Sequence, residues 1–400
     1  MEIISCGCEK MNIEKILPAD RLKYIKPSAI RRMIDLSAGM KDVIHLEQGE
    51  PDFGTPEHIV EAAKKVMDEG YTHYTQTAGL PELREAISEK LARENGIDVD
   101  PETEVVIVSG TQETMAVTAL AFLNPGDRAL VLEPYYPAYF EDTLIAGAVP
   151  VPVPLNEEEG YRVELEELEK RVDSKTKLIW MCSPCNPTGH VFTKEDLEII
   201  AEVAKKHNLL IFSDEIYEKL VYDGAKHISI GSIPGAEDRT ITVNGFSKAY
   251  AMTGWRIGYV AAKGALAREL NKLHYYMVLC ANSISQKAAL AALSGPQDCI
   301  KKMRDEYDRR RRAVLKELEK VSRLSCVKPR GAFYVFPDFS SFEMNDENLA
   351  KTLLQKAHVC TAPGSGFGES GSGHLRISYS VPYEKITTGI SKIVEALEEM

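Results

Sequence analysis

Between residues 57 and 264, the chain alternates short apolar runs with stretches of helical periodicity. The apolar runs are VVIV at 105–108, RALVL at 128–132, LIWM at 178–181, LLIF at 209–212, ITV at 241–243 and IGYV at 257–260. Strands that are apolar at almost every position are typical of parallel sheets, because helices cover both of their faces. We therefore predict an α/β fold with a mostly parallel sheet flanked by helices.

After residue 285 the pattern changes, which predicts a second and smaller unit. A long helical pattern to residue 320 is interrupted at 295–296, and further elements follow: strands at 332–336 and 375–378, and helices at 347–357 and 386–399. A chain of 400 residues also exceeds the usual size of one domain. We predict a large domain at 51–289 and a smaller α+β domain formed by 1–50 and 290–400.

The charge of the chain excludes several classes of function. The net charge is −12 and the pI is near 5.4, so the chain has no general attraction to nucleic acid or anionic lipid. Four arginines at 309–312 lie in a helical pattern, and we predict that they form a solvated helix face. No apolar run reaches the ~20 residues that a membrane helix needs. The first ten residues lack the pattern of a signal peptide, which predicts a cytoplasmic protein.

Cysteines and histidines give no metal or redox signature. The eight cysteines are predicted to be reduced thiols. Cys6 and Cys8 have no assignable role, and Cys182 and Cys185 bracket a turn, where small thiols fit. The nine histidines show no ligand spacing, so we predict no metal site.

The segment GFGESG at 366–371 matches a dinucleotide-binding pattern but lacks its context. A strand rather than a helix is predicted to follow it, and Ser391 stands where an acidic residue is expected. We predict instead a flexible loop that borders the active site.

Unusual polar residues follow several predicted strands. They are Gly110-Thr111, NPTG at 186–189, Asp214 with Tyr217, and GFSK at 245–248. The carboxyl ends of parallel strands share one edge of a sheet, so these groups are predicted to converge there. A helix N-terminus suits a phosphate, a buried acid suits a cationic ring nitrogen, and a lysine can form a Schiff base. Pyridoxal phosphate (PLP) requires these three groups together.

The segment SKAYAMTGWRIG at 247–258 closely resembles the PLP-attachment signature of class I aminotransferases. Other motifs have the order found in that family: GEPDF at 49–53, YTHY at 71–74, AGLPELR at 78–84, NPTG at 186–189, Asp214 with Tyr217, and Arg376 within LRIS at 375–378. The chain is thus similar, over nearly its whole length, to class I and II aminotransferases, with most likeness to the bacterial and archaeal aspartate aminotransferases. The resemblance implies the fold of type I PLP enzymes.

The resemblance also implies catalytic roles. Lys248 would form the internal aldimine and carry the proton between the substrate and the cofactor. Asp214 would pair with the protonated ring nitrogen, and Asn186 and Tyr217 would hydrogen-bond the phenolic oxygen. These roles imply a ping-pong exchange of an amino group between an L-amino acid and a 2-oxo acid, with 2-oxoglutarate as the expected acceptor.

Binding residues follow from the same resemblance. Arg376 would bind the substrate α-carboxylate as a two-pronged donor, helped by the Gly49 backbone and by Asn186. Tyr136 would stack on the ring, and Tyr74 would reach the phosphate of the partner subunit, which implies a homodimer. The remaining cofactor-binding residues would be Gly110, Thr111, Gln112, Ser247 and Arg256.

Two alternatives and the substrate remain open at this point. A carbon–sulfur β-lyase shares the fold, and so does the domain of PLP-binding transcriptional regulators, although the acidic charge disfavours the regulator. Aspartate-specific relatives often carry lysine at the position of Gln112, so we predict neutral or aromatic donors. A cation for a second carboxylate would have to come from elsewhere, such as Arg21 or Arg31. The tyrosines predicted to line the side-chain pocket are Tyr24, Tyr74, Tyr136 and Tyr139.

Overall fold

The computed structural model describes residues 19–25 and 27–400, so Cys6 and Cys8 lie outside the described residues. The strands in chain order are β1 (Ile44–His45), β2 (Val105–Val108), β3 (Arg128–Glu133), β4 (Val149–Pro154), β5 (Thr176–Cys182), β6 (Leu210–Asp214), β7 (Thr240–Gly245), β8 (Gly258–Ala261), β9 (Tyr334–Val335), β10 (Val359–Cys360), β11 (Ala362–Pro363) and β12 (Leu375–Ser378). The α-helices are α1 (Ala29–Ser37), α2 (Glu57–Asp68), α3 (Pro81–Lys90), α4 (Thr111–Phe122), α5 (Pro137–Ile145), α6 (Leu165–Glu169), α7 (Lys194–His207), α8 (Gly264–Val278), α9 (Ser283–Ser294), α10 (Asp298–Leu318), α11 (Asp346–Ala357) and α12 (Tyr383–Glu398).

A seven-stranded sheet forms the centre of the fold, with the order β2-β8-β7-β6-β5-β3-β4. Pairings from β7 through β6, β5 and β3 to β4 are parallel, whereas β8 runs antiparallel to both of its neighbours. The predicted α/β architecture with a mostly parallel sheet is therefore confirmed.

Helices cover both faces of this sheet, which explains why its strands are apolar throughout. In β5, Leu178 and Trp180 pack in one core cluster with residues of α4, α5 and α8. Their neighbours Ile179 and Met181 face the opposite side and pack with α6 and α7. Successive side chains of a strand point to opposite faces, so a sheet covered on both sides needs apolar residues at odd and even positions alike.

The edge strand β4 was not predicted from the sequence, because it contains three prolines. The backbone N–H groups of Val149 and Leu155 donate to the carbonyls of Asp127 and Glu133. The N–H groups of odd-numbered residues in this strand therefore point toward β3. The intervening prolines at 150, 152 and 154 therefore face the open edge, where a missing N–H leaves no ladder hydrogen bond unmade.

Smaller sheets accompany the C-terminal region. Strands β11, β12 and β9 form an antiparallel sheet, and β1 pairs in parallel with β10. The strand predicted at 332–336 is shorter in the structure, where β9 covers only Tyr334–Val335. The division of the chain at residue 289 stays a prediction, and that position lies within α9.

The prediction of a solvated arginine face at 309–312 is wrong for two of its four members. Arg309 and Arg312 are exposed, but Arg310 and Arg311 are buried. Arg310 pairs with Asp52 at 2.8 Å, and Arg311 pairs with Asp223 at 2.9 Å. These acids are distant in sequence, and a buried guanidinium is tolerated only where such partners compensate its charge.

The loop predicted to be flexible, 366–371, lies within a packed segment that spans 364–371. It forms two short 3₁₀ turns, and Phe367 within it is fully buried. Gly368 has φ +110°, and a Cβ there would lie 1.9 Å from Oε1 of Glu133. The strand β12 follows, as predicted, which agrees with the rejection of a dinucleotide site.

In the described part of the chain, no helix has both the length and the apolar character to cross a bilayer.

Candidate active site

A cavity of about 610 Å³ lies at the carboxyl edge of the central sheet. Strand β8 is antiparallel, so the residues just before it reach the same edge as the residues after β6 and β7. The structure brings most of the predicted site residues to this cavity: Gly49, Thr111, Gln112, Tyr136, Asn186, Asp214, Tyr217, Ser247, Lys248, Arg256 and Arg376.

Lys248 lies in the turn after β7, and no carboxylate of the described residues forms an ion pair with it. Its Nζ donates to the backbone carbonyl of Gly49 at 2.6 Å and lies 5.8 Å and 5.7 Å from the ring centres of Tyr217 and Phe333. Burial lowers the pKa of Lys248 to about 8, because the charged form loses its hydration. The lowered pKa increases the fraction of neutral amine near neutral pH, and the neutral amine is the nucleophilic form.

Asp214 ends β6 and is held at the floor of the cavity. Its Oδ2 accepts from the Tyr139 hydroxyl at 2.8 Å, and its Oδ1 accepts from the Ile216 N–H at 3.1 Å. Burial raises the pKa of Asp214 to about 6, although the hydrogen bond from Tyr139 opposes that rise. A cationic ligand group beside this carboxyl would stabilise its ionised form.

Tyr139 lines the cavity, as predicted, and also has a role that sequence analysis missed. It is buried, stacked on Trp180 with ring centres 5.6 Å apart, and bonded to Asp214. Tyr136 lines the cavity too, and its hydroxyl donates to Oε1 of Gln112 at 3.0 Å. Tyr24 and Tyr74 do not line this cavity, and the side chain of Tyr74 is 84% exposed.

Arg376 is a buried cation without a carboxylate partner among the described residues. It extends from β12 and is only 2% exposed. Its Nη1 donates to Oδ1 of Asn186 at 2.8 Å, its Nη2 donates to the carbonyl of Glu47, and its Nε has no partner in the described part of the chain. Burying such a charge is costly unless an anion pairs with it. The guanidinium is thus a site for a ligand carboxylate.

Tyr334 is a cavity residue that sequence analysis did not single out. Its hydroxyl lies 2.7 Å from the hydroxyl of Tyr217, and its ring lies 4.5 Å from the Arg376 guanidinium. A Cβ at Gly49 would lie 2.0 Å from the Tyr334 hydroxyl, so only glycine fits at position 49. Tyr334 belongs to no motif, and only its place in a predicted apolar strand could have drawn attention to it.

The other end of the cavity suits a phosphate. Helix α4 begins at Thr111, and its first N–H groups have no intrahelical acceptor. Gly110 precedes it with φ +86°, and a Cβ there would lie 2.5 Å from Nη2 of Arg256. The glycine therefore lets a guanidinium approach the start of a helix. Two positive groups so close together favour an anion between them.

Lys248 and Arg256 lie on one loop whose two ends are joined. Gly245 ends β7 and is paired with Gly258, which begins β8. A Cβ on Gly245 would lie 3.1 Å from the Cα of Gly258, so side chains at this junction would crowd the ladder.

These groups fit PLP. A buried lysine amine with a lowered pKa, a buried acid, and an anion site at a helix start match the three groups that this cofactor requires. Cys182 also lines the cavity, and burial raises the pKa of its thiol, so it is not a reactive nucleophile here.

Helix α1 contributes residues that the motifs did not indicate. Ile30, Arg31 and Ile34 line the cavity on the side of the N-terminal segment. Arg31 pairs with Asp35 at 2.9 Å, and its side chain is 72% exposed. Arg21, the other candidate for a second cation, does not line the cavity.

Comparison with known proteins agrees with this geometry. The family described as "Aminotransferase class I and II" matches residues 41–393. An aspartate aminotransferase of Pyrococcus abyssi is 45% identical, over 95% of this chain and 98% of its own. An aromatic-amino-acid aminotransferase 2 of Thermococcus litoralis is 43% identical, with the same two coverages. The solved structure of an aspartate aminotransferase from Thermus thermophilus with maleate superposes with a TM-score of 0.90 at 37% identity, covering 95% of this chain and all of that one.

Proposed function

This chain belongs to the class I and II aminotransferase family and is a PLP-dependent aminotransferase, and we propose that it transfers the amino group of neutral and aromatic L-amino acids to 2-oxoglutarate. The main support for binding of the substrate α-carboxylate is Arg376, a buried cation whose Nε has no partner among the described residues. The relatives support an aminotransferase, and nothing in the described site favours the β-lyase alternative.

Two observations support neutral and aromatic donors. The position next to the start of α4 holds Gln112, which is uncharged and accepts a hydrogen bond from Tyr136. The cavity wall also includes Ile30, Ile34 and Met115, which offer an apolar surface to a substrate side chain. The Pyrococcus and Thermococcus relatives are named for aspartate and for aromatic amino acids, so their names alone leave the donor open.

The longer acceptor needs a cation farther out, and Arg31 is the candidate. It lies on α1 at the cavity, and its ion pair with Asp35 is largely exposed. Exposed i,i+4 pairs contribute little to stability, so exchanging Asp35 for a substrate carboxylate costs little.

We propose the following roles for the site residues, which their positions support. When bound, PLP supplies an electron sink that stabilises the negative charge developing at the substrate Cα. Arg376 and Asn186 bind the α-carboxylate and fix the orientation of the substrate, next to the Gly49 backbone. Lys248 Nζ takes the proton from Cα and returns it, since its lowered pKa suits a general base near neutral pH.

Asp214 and its neighbours set the electrostatics of the ring end. The carboxylate would hold a proton on the ring nitrogen, and Tyr139 keeps that carboxylate in place. Tyr217, buried beside Tyr334, would donate to the phenolic oxygen together with Asn186. Gly110, Thr111, Gln112, Ser247 and Arg256 would hold the phosphate end, and Tyr136 would stack on the ring.

We predict that phenylalanine and methionine have a kcat/KM at least equal to that of aspartate. The reason is the absence of a charged side chain at Gln112. Initial rates with each donor and 2-oxoglutarate measure this, and Gln112→Lys should raise kcat/KM for aspartate by about tenfold or more. A wild-type preference for aspartate of about a hundredfold, or roughly 2.7 kcal/mol, would contradict the proposal.

We also predict a homodimer in which Tyr74 serves the partner's phosphate site. Tyr74 does not line the cavity of its own chain and is 84% exposed, which suits a residue that acts across an interface. Light scattering should give twice the mass of one 44.5 kDa chain, and Tyr74→Ala should weaken PLP binding without altering that mass. An active monomer at assay concentration would refute this assembly.

Two further proposals concern compartment and packing. The six cysteines among the described residues are free thiols, which supports a reducing compartment such as the cytoplasm. Met33 and Leu46 share a core cluster with residues of α10, α11 and α12, which supports the packing of the N-terminal segment with the smaller domain.

A further inference from the structure

Three potential metal ligands meet beside the β1–β10 ladder. His45 is the register partner of Cys360, and Glu47 lies two residues after His45. Paired residues of neighbouring strands point to the same face, and Glu47 lies just past the end of β1. One ligand atom from each of the three side chains lies within 4.8 Å of the other two.

The carboxylate of Glu47 in this cluster is not paired with a lysine or arginine of the described residues. Glu47 is fully buried, and its Oε1 lies 2.9 Å from Nδ1 of His45. Among the described residues, its Oε2 has no hydrogen-bond partner, and no lysine or arginine forms an ion pair with the carboxylate. A buried carboxylate with a bare oxygen is costly, so the site is short of a cation.

A second buried cluster shows the opposite case. Glu215, Glu218 and His227 also lie within ligand distance of one another. There, the buried Lys90 donates to Glu218, and the two carboxylate oxygens of Glu215 accept from the hydroxyls of Ser213 and Ser229, so these acids already have protein partners. The lack of a comparable lysine among the described residues is what distinguishes the cluster at Glu47.

We propose that His45, Glu47 and Cys360 bind one Zn²⁺ ion. A thiolate, an imidazole and a carboxylate are all ligands that zinc accepts in tetrahedral sites, with water as the fourth ligand. Mg²⁺ and Ca²⁺ prefer oxygen ligands only, so they do not suit a site with sulfur. On binding, the Cys360 thiol releases its proton to solvent as the sulfur–zinc bond forms.

The site has an entry path and a connection to Arg376. The side chain of His45 is 42% exposed, so an ion and its water can approach from solvent. The backbone carbonyl of Glu47 accepts from Arg376 Nη2. A metal on the Glu47 carboxylate therefore stabilises the same residue that helps to orient the substrate-binding arginine.

The test uses the holoenzyme, first dialysed against a chelator and then titrated with ZnCl₂. Elemental analysis should find one Zn²⁺ per chain in the wild type and in the control Cys299→Ser, whose thiol lies on α10. Cys360→Ser and His45→Gln should each weaken zinc affinity by about a hundredfold or more. All variants keep Lys248 and the cofactor, so any chelation of zinc by PLP is the same in each.

A thermal melt gives a second readout that does not depend on activity. Zn²⁺ should raise the melting temperature of the wild type and of Cys299→Ser, because a ligand that binds only the native state stabilises it. It should not raise that of His45→Gln, which decides the question if Cys360→Ser fails to fold. Equal zinc content in wild type and His45→Gln, no zinc in the wild type, or an equal effect of MgCl₂ would each overturn the proposal.

Discussion

Lys248→Ala is expected to lower kcat by about 10⁴-fold or more, because it removes both the covalent anchor of the cofactor and the group that moves the proton. Lys248→Arg should be as inactive, since a guanidinium keeps the positive charge but forms no covalent link and is too basic to accept a proton. The exposed Lys226 provides a matched control, and Lys226→Ala should retain wild-type activity.

Chemical trapping of the cofactor tests the role of Lys248 without relying on turnover. The purified protein should be yellow, and borohydride reduction followed by peptide mass mapping should place the reduced cofactor on Lys248. The Ala and Arg variants should yield no labelled peptide. Label on another lysine, or activity within tenfold of wild type in Lys248→Ala, would refute the assignment.

Asp214→Ala is expected to lower kcat by about 10³-fold, because a preorganised buried charge strongly stabilises the charge that develops during the reaction. The cofactor can still bind through its phosphate contacts and Lys248, so binding should fall much less than kcat. Asp214→Glu should recover part of the rate, since it restores a carboxylate on a longer side chain.

The control for Asp214 is a second buried acid outside the cavity. Asp142 on α5 is 7% exposed, and burial raises its pKa to about 7, so it resembles Asp214 in environment. Asp142→Asn should leave kcat near the wild-type value. A loss below tenfold in Asp214→Ala would show that this carboxyl does not act on the cofactor ring.

Features encoded by neighbouring residues could be predicted from the sequence. Thr193 and Asp196 form a capping box at the start of α7, as their spacing indicates, and β12 has the predicted bounds. The convergence of Asp214 and Lys248 also followed from sequence, because the topology of a parallel sheet brings strand ends together.

Features that depend on distant partners could not be predicted in this way. The pairing of Tyr139 with Asp214 joins a helix to a strand 75 residues away. Tyr334 meets Tyr217 across 117 residues. Burial of Arg311 depends on Asp223, and no local pattern distinguishes a compensated arginine from a solvated one.

The loop between β7 and β8 positions Lys248 and Arg256 in a different way from that in which Arg376 is positioned. Because Gly245 and Gly258 are paired, Lys248 and Arg256 are parts of one loop that is tethered at both ends. Arg376 lies on a different sheet and is held in place through contacts such as those with Asn186 and Glu47. A shift of the smaller sheet would therefore move Arg376 relative to Lys248 and Arg256, whereas these two residues would move together as parts of the same tethered loop.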